Sequence, residues 1–167
     1  MEVLNDLLQW KDILSPIKLL AVLPNASSSA AKEVRMSLGP SIDFTHCFYR
    51  NSSMVAPSSY ILKSVESDSR TLVNYNELEE MTIEDFKDAL SKLSGQLNTI
   101  YHFEGRIVDV TASCIDHVRT QESNAVISVE IEKAHRYGLQ NLAQKADVVF
   151  YSKSWAEVSG FFTYWIL

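Results

Sequence analysis

The second half of the chain alternates two patterns in strict turn. "NTIYHF" is strand-like, "IVDVTASCIDHVRTQE" helix-like, "AVISVEIE" strand-like, "HRYGLQNLAQK" helix-like and "ADVVFY" strand-like, before "SKSWAEVSG" opens another helix. Strands alternating with helices of this length imply right-handed crossovers and a parallel sheet with helices on its faces. Ligands of such sheets sit at the carboxyl ends of the strands. The stretch "YHFEGRIVDVT" puts Glu104, Gly105 and Arg106 at one of those ends, where an apolar strand turns into a helix. A bound anion or a sugar would explain that corner, and so would an ordinary helix start.

Upstream, "MEVLNDLLQWKDIL" spaces Val3, Leu4, Leu7 and Leu8 along one helical face, with Ile13 continuing it. "IKLLAVLP" reads as one buried strand closed by Pro24, and "NASSSAAKEVRMSLGP" as a Ser-capped helix stopped by Gly39 and Pro40. "THCFYR", "SSYILKSV" and "RTLVNY" are short β-rich runs, the last two joined by the polar turn "ESDS", and predict a small antiparallel ribbon. "TIEDFKDALSKLSG" places Ile83, Phe86, Leu90 and Leu93 on one stripe, with Thr82 and Asp85 as a capping box and Gly95 as the stop. The expected architecture is α/β with a β lid within residues 45–76, in a single domain without repeats or a low-complexity linker.

Composition narrows the function classes. The 167 residues are 46% apolar and carry a formal charge of -6, which suits a globular protein and opposes a nucleic-acid surface, where a basic excess is needed. Cys47 and Cys114 form no CxxC pair, and His46, His102, His117 and His135 share no helical spacing, so neither a disulfide framework nor a zinc site is signalled. Cys47 and His46, as neighbours on a strand, point to opposite faces and make no nucleophilic pair. The start has no basic region before an apolar run, and no apolar stretch reaches the roughly 20 residues of a membrane span. A cytoplasmic, reducing setting is expected, with no membrane partner.

Five pieces in order carry a family resemblance: "APSSYIL", "SRTLVNY", "EGR", "SVEIEK" and "DVVFYSK". With them the chain resembles the phosphofructokinase-B (ribokinase-like) carbohydrate kinases, closest to the ketohexokinase-like branch, over roughly Leu19 to Phe161. The resemblance implies an incomplete ribokinase-like three-layer αβα sandwich with a β-strand lid. It also implies ATP-dependent phosphoryl transfer to a sugar hydroxyl, with ATP and Mg2+ as cofactors, sugar and ATP as partners, and a lid that closes over the sugar to exclude water.

By the same resemblance, Arg70, Glu104, Arg106 and Lys153 border the sugar and phosphates, and Glu130 and Glu132 lie near the metal. Pro57, Ser58, Asn74 and Asn76 belong to the lid, where turn chemistry explains them equally well. The bland readings are a solvated strand face for Glu130 and Glu132, edge protection for Arg70 and surface positions for Arg106 and Lys153. Three departures bear on catalysis. The chain has five glycines, Gly39, Gly95, Gly105, Gly138 and Gly160, none close enough to form a glycine-rich loop. The family's Gly-Ala-Gly-Asp element, with its catalytic aspartate and anion hole, has no counterpart. Ser152 and Trp155 stand where the family pattern has an asparagine and a glutamate three apart. The apolar tail "FFTYWIL" over residues 161–167 also leaves the pattern. The expectation is a partial carbohydrate-kinase domain, inactive alone. Its rivals are a non-catalytic binding module, including a homodimer through the β lid, and a truncated product without function.

Overall fold

A computed structural model describes residues 17–93 and 99–159. The expected N-terminal helix, the stop at Gly95 and the apolar tail fall outside these residues. The described residues make a mixed α/β protein with five helices and several small sheets, none closed. Contacts divide the chain into two compact units, one running to Met81 and one starting at Thr82. Among the described residues no helix is long and apolar enough to cross a membrane.

The first unit contains β1 (Ile17–Lys18), β2 (Val22–Pro24), α1 (Ser29–Leu38), β3 (Ile42–Asp43), β4 (Phe48–Arg50), β5 (Ser58–Lys63) and β6 (Arg70–Tyr75). The single strand expected over "IKLLAVLP" is two. β1 pairs in parallel with β3, and β2 in parallel with β4. The chain changes partner between them: Leu19 N donates to Asp43 O at 2.9 Å, and Phe48 N donates to Ala21 O at 2.9 Å. "THCFYR" likewise departs from the expected ribbon, because its residues extend the parallel pairing of β2. α1 starts where predicted: the Ser28 hydroxyl accepts from Ala31 N at 3.1 Å. Gly39, at φ 79° and ψ 176°, takes a positive-φ conformation that ends the helix, its N–H donating to Arg35 O at 3.2 Å. Arg35 ties α1 to β4, donating to the Tyr49 hydroxyl at 3.1 Å and to Ala26 O at 3.0 Å.

The antiparallel ribbon is β5 with β6, in register from Ser58 opposite Tyr75 to Lys63 opposite Arg70. Its turn closes with Ser64 N on Ser69 O at 2.8 Å and a left-handed Asp68, φ 52°. Period-2 alternation sorts its side chains into two faces. One face carries Ser58, Tyr60, Leu62, Thr71, Val73 and Tyr75; the other carries Ser59, Ile61, Lys63, Arg70, Leu72 and Asn74. Both faces are exposed apart from the half-buried Ser58.

The second unit contains α2 (Ile83–Ser91), β7 (Ile100–Glu104), α3 (Val108–Gln121), β8 (Val126–Ile131), α4 (Leu139–Lys145), β9 (Val148–Tyr151) and α5 (Lys153–Val158). The predicted capping box opens α2: Thr82 Oγ1 accepts from Asp85 N at 3.1 Å, and Asp85 Oδ2 accepts from Thr82 N at 3.0 Å. β7, β8 and β9 form one parallel sheet in that order, as the alternation requires. α4 starts later than "HRYGLQNLAQK" suggests, because Gly138 is left-handed at φ 84° and places the helix start at Leu139.

The register sorts the sheet into two faces. Tyr101 and Phe103, Ile127, Val129 and Ile131, and Val149 and Tyr151 share one face, on which the three β8 residues are fully buried. Here Phe86 of α2 meets Phe103 with ring centroids 5.9 Å apart, and Trp155 of α5 stacks on Tyr151 at 4.3 Å. The buried residues Cys114, Ile115 and Val118 of α3 and Leu139 and Leu142 of α4 complete this core. The opposite face carries Ile100, His102 and Glu104, Val126, Ser128 and Glu130, and Val148 and Phe150. Of these eight, only Ser128 is buried.

Candidate functional site

The carboxyl ends of β7, β8 and β9 are where the second unit gathers chemistry. Glu104 is the last residue of β7 and lies opposite Glu130 of β8 in the parallel register, so the two carboxylates stand side by side on the open face. Both are exposed, and Phe150 is the next neighbour across the sheet. Like charges directly opposite each other are unfavourable in a sheet. The pair is therefore a place where a cation or a hydroxyl-rich ligand would be welcome.

Glu132 follows the end of β8 and is exposed, its carbonyl accepting from the Ser152 hydroxyl. Ser152 N also donates to Ile131 O at 2.9 Å, so the end of β9 is stitched to the end of β8. Lys153, the first residue of α5, is exposed and pairs loosely with Glu157 at 3.6 Å. Arg106 lies two residues beyond Glu104 and is exposed. Glu104, Arg106, Glu130, Glu132 and Lys153 thus share one edge of one sheet.

Gly105 explains the corner locally. Its N–H donates to Glu130 O at 2.9 Å, and a Cβ there would lie 2.7 Å from that same oxygen and 2.7 Å from Leu139 Cδ2. Only glycine lets β7 turn this close to β8 and α4. Arg136, which the sequence reading did not single out, donates to Gly105 O at 2.7 Å and holds the turn from the far side. No local sequence pattern announces Arg136; the contact spans 31 residues.

Further inside the open face, His102 Nδ1 lies 2.9 Å from Ser128 Oγ, and the His102 ring meets Phe150 edge-on at 5.9 Å. These contacts make His102 a positioned histidine and account for the burial of Ser128. At the amino end of the sheet, Asp147 Oδ2 accepts from Ile127 N at 2.7 Å and from Arg119 at 2.8 Å. Those two bonds, the backbone one first, hold the Asp147 carboxyl below its ordinary value. Tyr101 donates to Glu122 at 2.8 Å, and burial followed by that bond pushes its hydroxyl pKa upward.

The lid residues belong to the first unit. Arg70 opens β6 opposite Lys63, so two cations are neighbours on the exposed ribbon, and Lys63 pairs with Asp68 at 2.7 Å. Asn74 accepts from the Ser59 hydroxyl at 2.7 Å, and Asn76 accepts from Leu78 N at 3.0 Å. These bonds shape the ribbon and the turn after it. Pro57 is exposed just before β5, and Ser58 begins that strand.

No family model, curated protein or solved structure matches this chain.

The residues present can be tested against ATP and Mg2+. Mg2+ typically takes one or two carboxylates and keeps several waters. Glu104 and Glu130 offer such a pair, although no group of three or more candidate ligands occurs among the described residues. A nucleotide phosphate needs a cradle of backbone N–H groups, commonly glycine-lined. Gly105 is filled by Glu130 and Leu139, and its N–H is spent on Glu130 O. Gly39 lies at the end of α1 and Gly138 faces Val108 Cγ1, so no described glycine supplies the cradle. Among the described residues the two carboxylates fall short of a metal-binding group, and no glycine-lined cradle for a nucleotide phosphate is present.

Proposed function

We propose that the chain is a partial carbohydrate-kinase domain of the phosphofructokinase-B type, in an incomplete three-layer arrangement. Its strand ends hold a sugar or its phosphate without transferring the phosphoryl group. The observation that carries this reading is the adjacency of Glu104 and Glu130 at the carboxyl edge of a parallel sheet, with Arg106 and Lys153 on the same edge. Carboxylates orient sugar hydroxyls by accepting hydrogen bonds, and the two cations favour a phosphate ester. The sequence contains no Gly-Ala-Gly-Asp element, the setting in which the family it resembles holds its catalytic aspartate and anion hole. Losing a base together with preorganised donors removes many powers of ten in rate.

The test is calorimetric titration of the folded chain with a ketohexose and with its phosphate ester, beside a coupled assay of ATP consumption. Expected are binding of the ester with Arg106→Ala and Lys153→Ala each weakening it by about ten-fold, and no sugar-dependent turnover. A folded chain that binds neither compound would remove the reading. Sugar-dependent ATP consumption would refute the non-catalytic part of it.

A second reading has its own observation. Tyr60, Leu62, Val73 and Tyr75 make one ribbon face apolar, with exposures of 65%, 65%, 52% and 42%. A lone two-stranded ribbon is marginal in water, so pairing of two lids in a homodimer would stabilise it. Light scattering that gives the monomer mass at micromolar concentration, unaffected by Tyr60→Lys, would discard this dimer.

A further inference from the structure

Arg136 is the cation at the strand ends that no motif announces. It sits in the connection between β8 and α4, and that connection is fixed at both ends. Ser152 Oγ donates to Glu132 O where β8 stops, and Arg136 N donates to Lys133 O at 3.1 Å. The left-handed Gly138, φ 84°, then delivers the chain into α4 at a point where a Cβ would lie 2.8 Å from Val108 Cγ1. From this frame the Arg136 side chain crosses to β7 and donates from Nη1 to Gly105 O at 2.7 Å. Gly105 N is bonded to Glu130 O at 2.9 Å, so the guanidinium is held over the carboxyl ends of β7 and β8 together. Those ends are where ligands of such sheets sit.

We infer that Arg136 is a specificity-determining residue of the strand-end site, on the reading that this site holds a sugar or its phosphate. Its guanidinium grips the phosphate of a sugar phosphate monoester bidentately and so sets the preference for the ester over the free sugar. Arg136 is half-buried, and among the described residues no carboxylate pairs with it. A single bond to a carbonyl about offsets the rotamer freedom that a pinned arginine loses. A cation held by a neutral carbonyl also keeps its full charge for a ligand, which one held by a carboxylate does not. The remaining N–H groups of the planar fork match paired oxygens of a phosphate. The acids at the same edge cannot supply the preference: Glu104 and Glu130 accept from hydroxyls, which both compounds carry, and they repel the phosphate. Lys153 is a point charge on a flexible stem and shares Glu157 at 3.6 Å, whereas Arg136 is oriented in advance by the Gly105 carbonyl.

The probes are a ketohexose and its phosphate monoester, titrated calorimetrically into the full chain and into Arg136→Gln and Arg136→Lys. Arg136→Gln should weaken the ester by about ten-fold, the worth of one hydrogen bond to a charged group, and leave the free sugar as in the parent. Arg136→Lys keeps the charge and a donor for Gly105 O but not the fork. It should therefore keep the parent's circular dichroism spectrum and still weaken the ester by about three-fold, since a point charge replaces a bidentate pair. The phosphorus-31 resonance of the ester gives a readout that a purely structural arginine would not move. A phosphate monoester loses its second proton at about pH 6, and a guanidinium in contact lowers that value. Ester bound to the parent should ionise at lower pH than free ester, and the value should move back towards that of free ester on Arg136→Gln. If Arg136→Gln fails to fold, the same comparison with Arg136→Lys decides. Ester bound by the folded variants as tightly as by the parent would overturn the inference and leave the sugar-phosphate reading standing. So would equal losses of ester and sugar affinity, or a bound-ester ionisation that the variants do not change, since either reduces Arg136 to a clamp on the turn. A parent that binds the sugar and not the ester would overturn it as well, and a parent that binds neither compound would remove the inference and the reading together.

Discussion

Gly105 and Glu130 are locked backbone to backbone: the glycine N–H donates to the glutamate carbonyl at 2.9 Å, and a methyl group on Gly105 would sit 2.7 Å from that oxygen. The backbone that presents Glu104 is thereby fixed against the backbone that presents Glu130. Gly105→Ala should destabilise the chain by about 1–3 kcal/mol through overpacking against atoms that cannot swing away. Urea unfolding measures this, and a midpoint unchanged from the parent would show that the turn has room.

The two faces of the sheet should respond oppositely to truncation. Ile131 is fully buried, so Ile131→Ala should cost about 2–5 kcal/mol from lost burial and the cavity left behind. Phe150 is 55% exposed, and Phe150→Ala should cost under about 1 kcal/mol. Equal losses at the two positions would mean that the open face is packed in solution.

Asp147 links stability to acid. Its folded-state pKa is depressed, so its contribution is present above the ordinary value of 3.8 and is lost as pH falls through the lower folded value. Unfolding free energy measured from pH 5 to pH 2 should therefore fall more steeply for the parent than for Asp147→Asn. Parallel curves would remove the bonds from Ile127 N and Arg119 as the cause.

The two thiols should be silent in the folded chain. Burial pushes Cys114 up to about 12 and Cys47 up to about 11. A disulfide reagent at pH 8 should label neither until denaturant is added, after which both react. The sign for stability follows: the raised folded values give a contribution that is complete below the ordinary thiol value of 9.0 and is lost as pH rises towards the folded ones. Rapid labelling of the native chain would place either cysteine outside the core.

Ser152 and Trp155 form a helix cap at the start of α5. Ser152 Oγ accepts from Trp155 N at 3.1 Å, and Trp155 is buried on Tyr151. Ser152→Ala should cost about 0.5–2 kcal/mol and Trp155→Ala about 3–5 kcal/mol in thermal or urea unfolding. A Trp155→Ala loss below that of Ser152→Ala would contradict the packing.

Much of the second unit was legible in the residues, because its signals are local. The Thr82–Asp85 capping box and the strand–helix alternation from Ile100 to Val158, like the Ser28 cap in the first unit, each depend on neighbours within a few positions, where spacing alone fixes the geometry. Partner strands were legible where a short turn joins them, as in β5 and β6, and not for the strands of the first unit that pair at a distance. "THCFYR" has the composition of a ribbon strand, yet Phe48 bonds to Ala21 and the run lies parallel to β2. Period-2 patterning says that a run is extended and says nothing about which strand it joins.

The same division runs through the candidate site. The sequence by itself determined that Glu104, Glu130 and Lys153 fall at strand ends, since each closes or follows an apolar run of strand length. Only the tertiary structure decided that Glu104 and Glu130 are register neighbours, that Gly105 is spent on packing against Leu139, and that one face of the sheet stands open. Those facts depend on atoms brought together from distant parts of the chain, and the pairwise distances that settle them exist only once the sheet has formed.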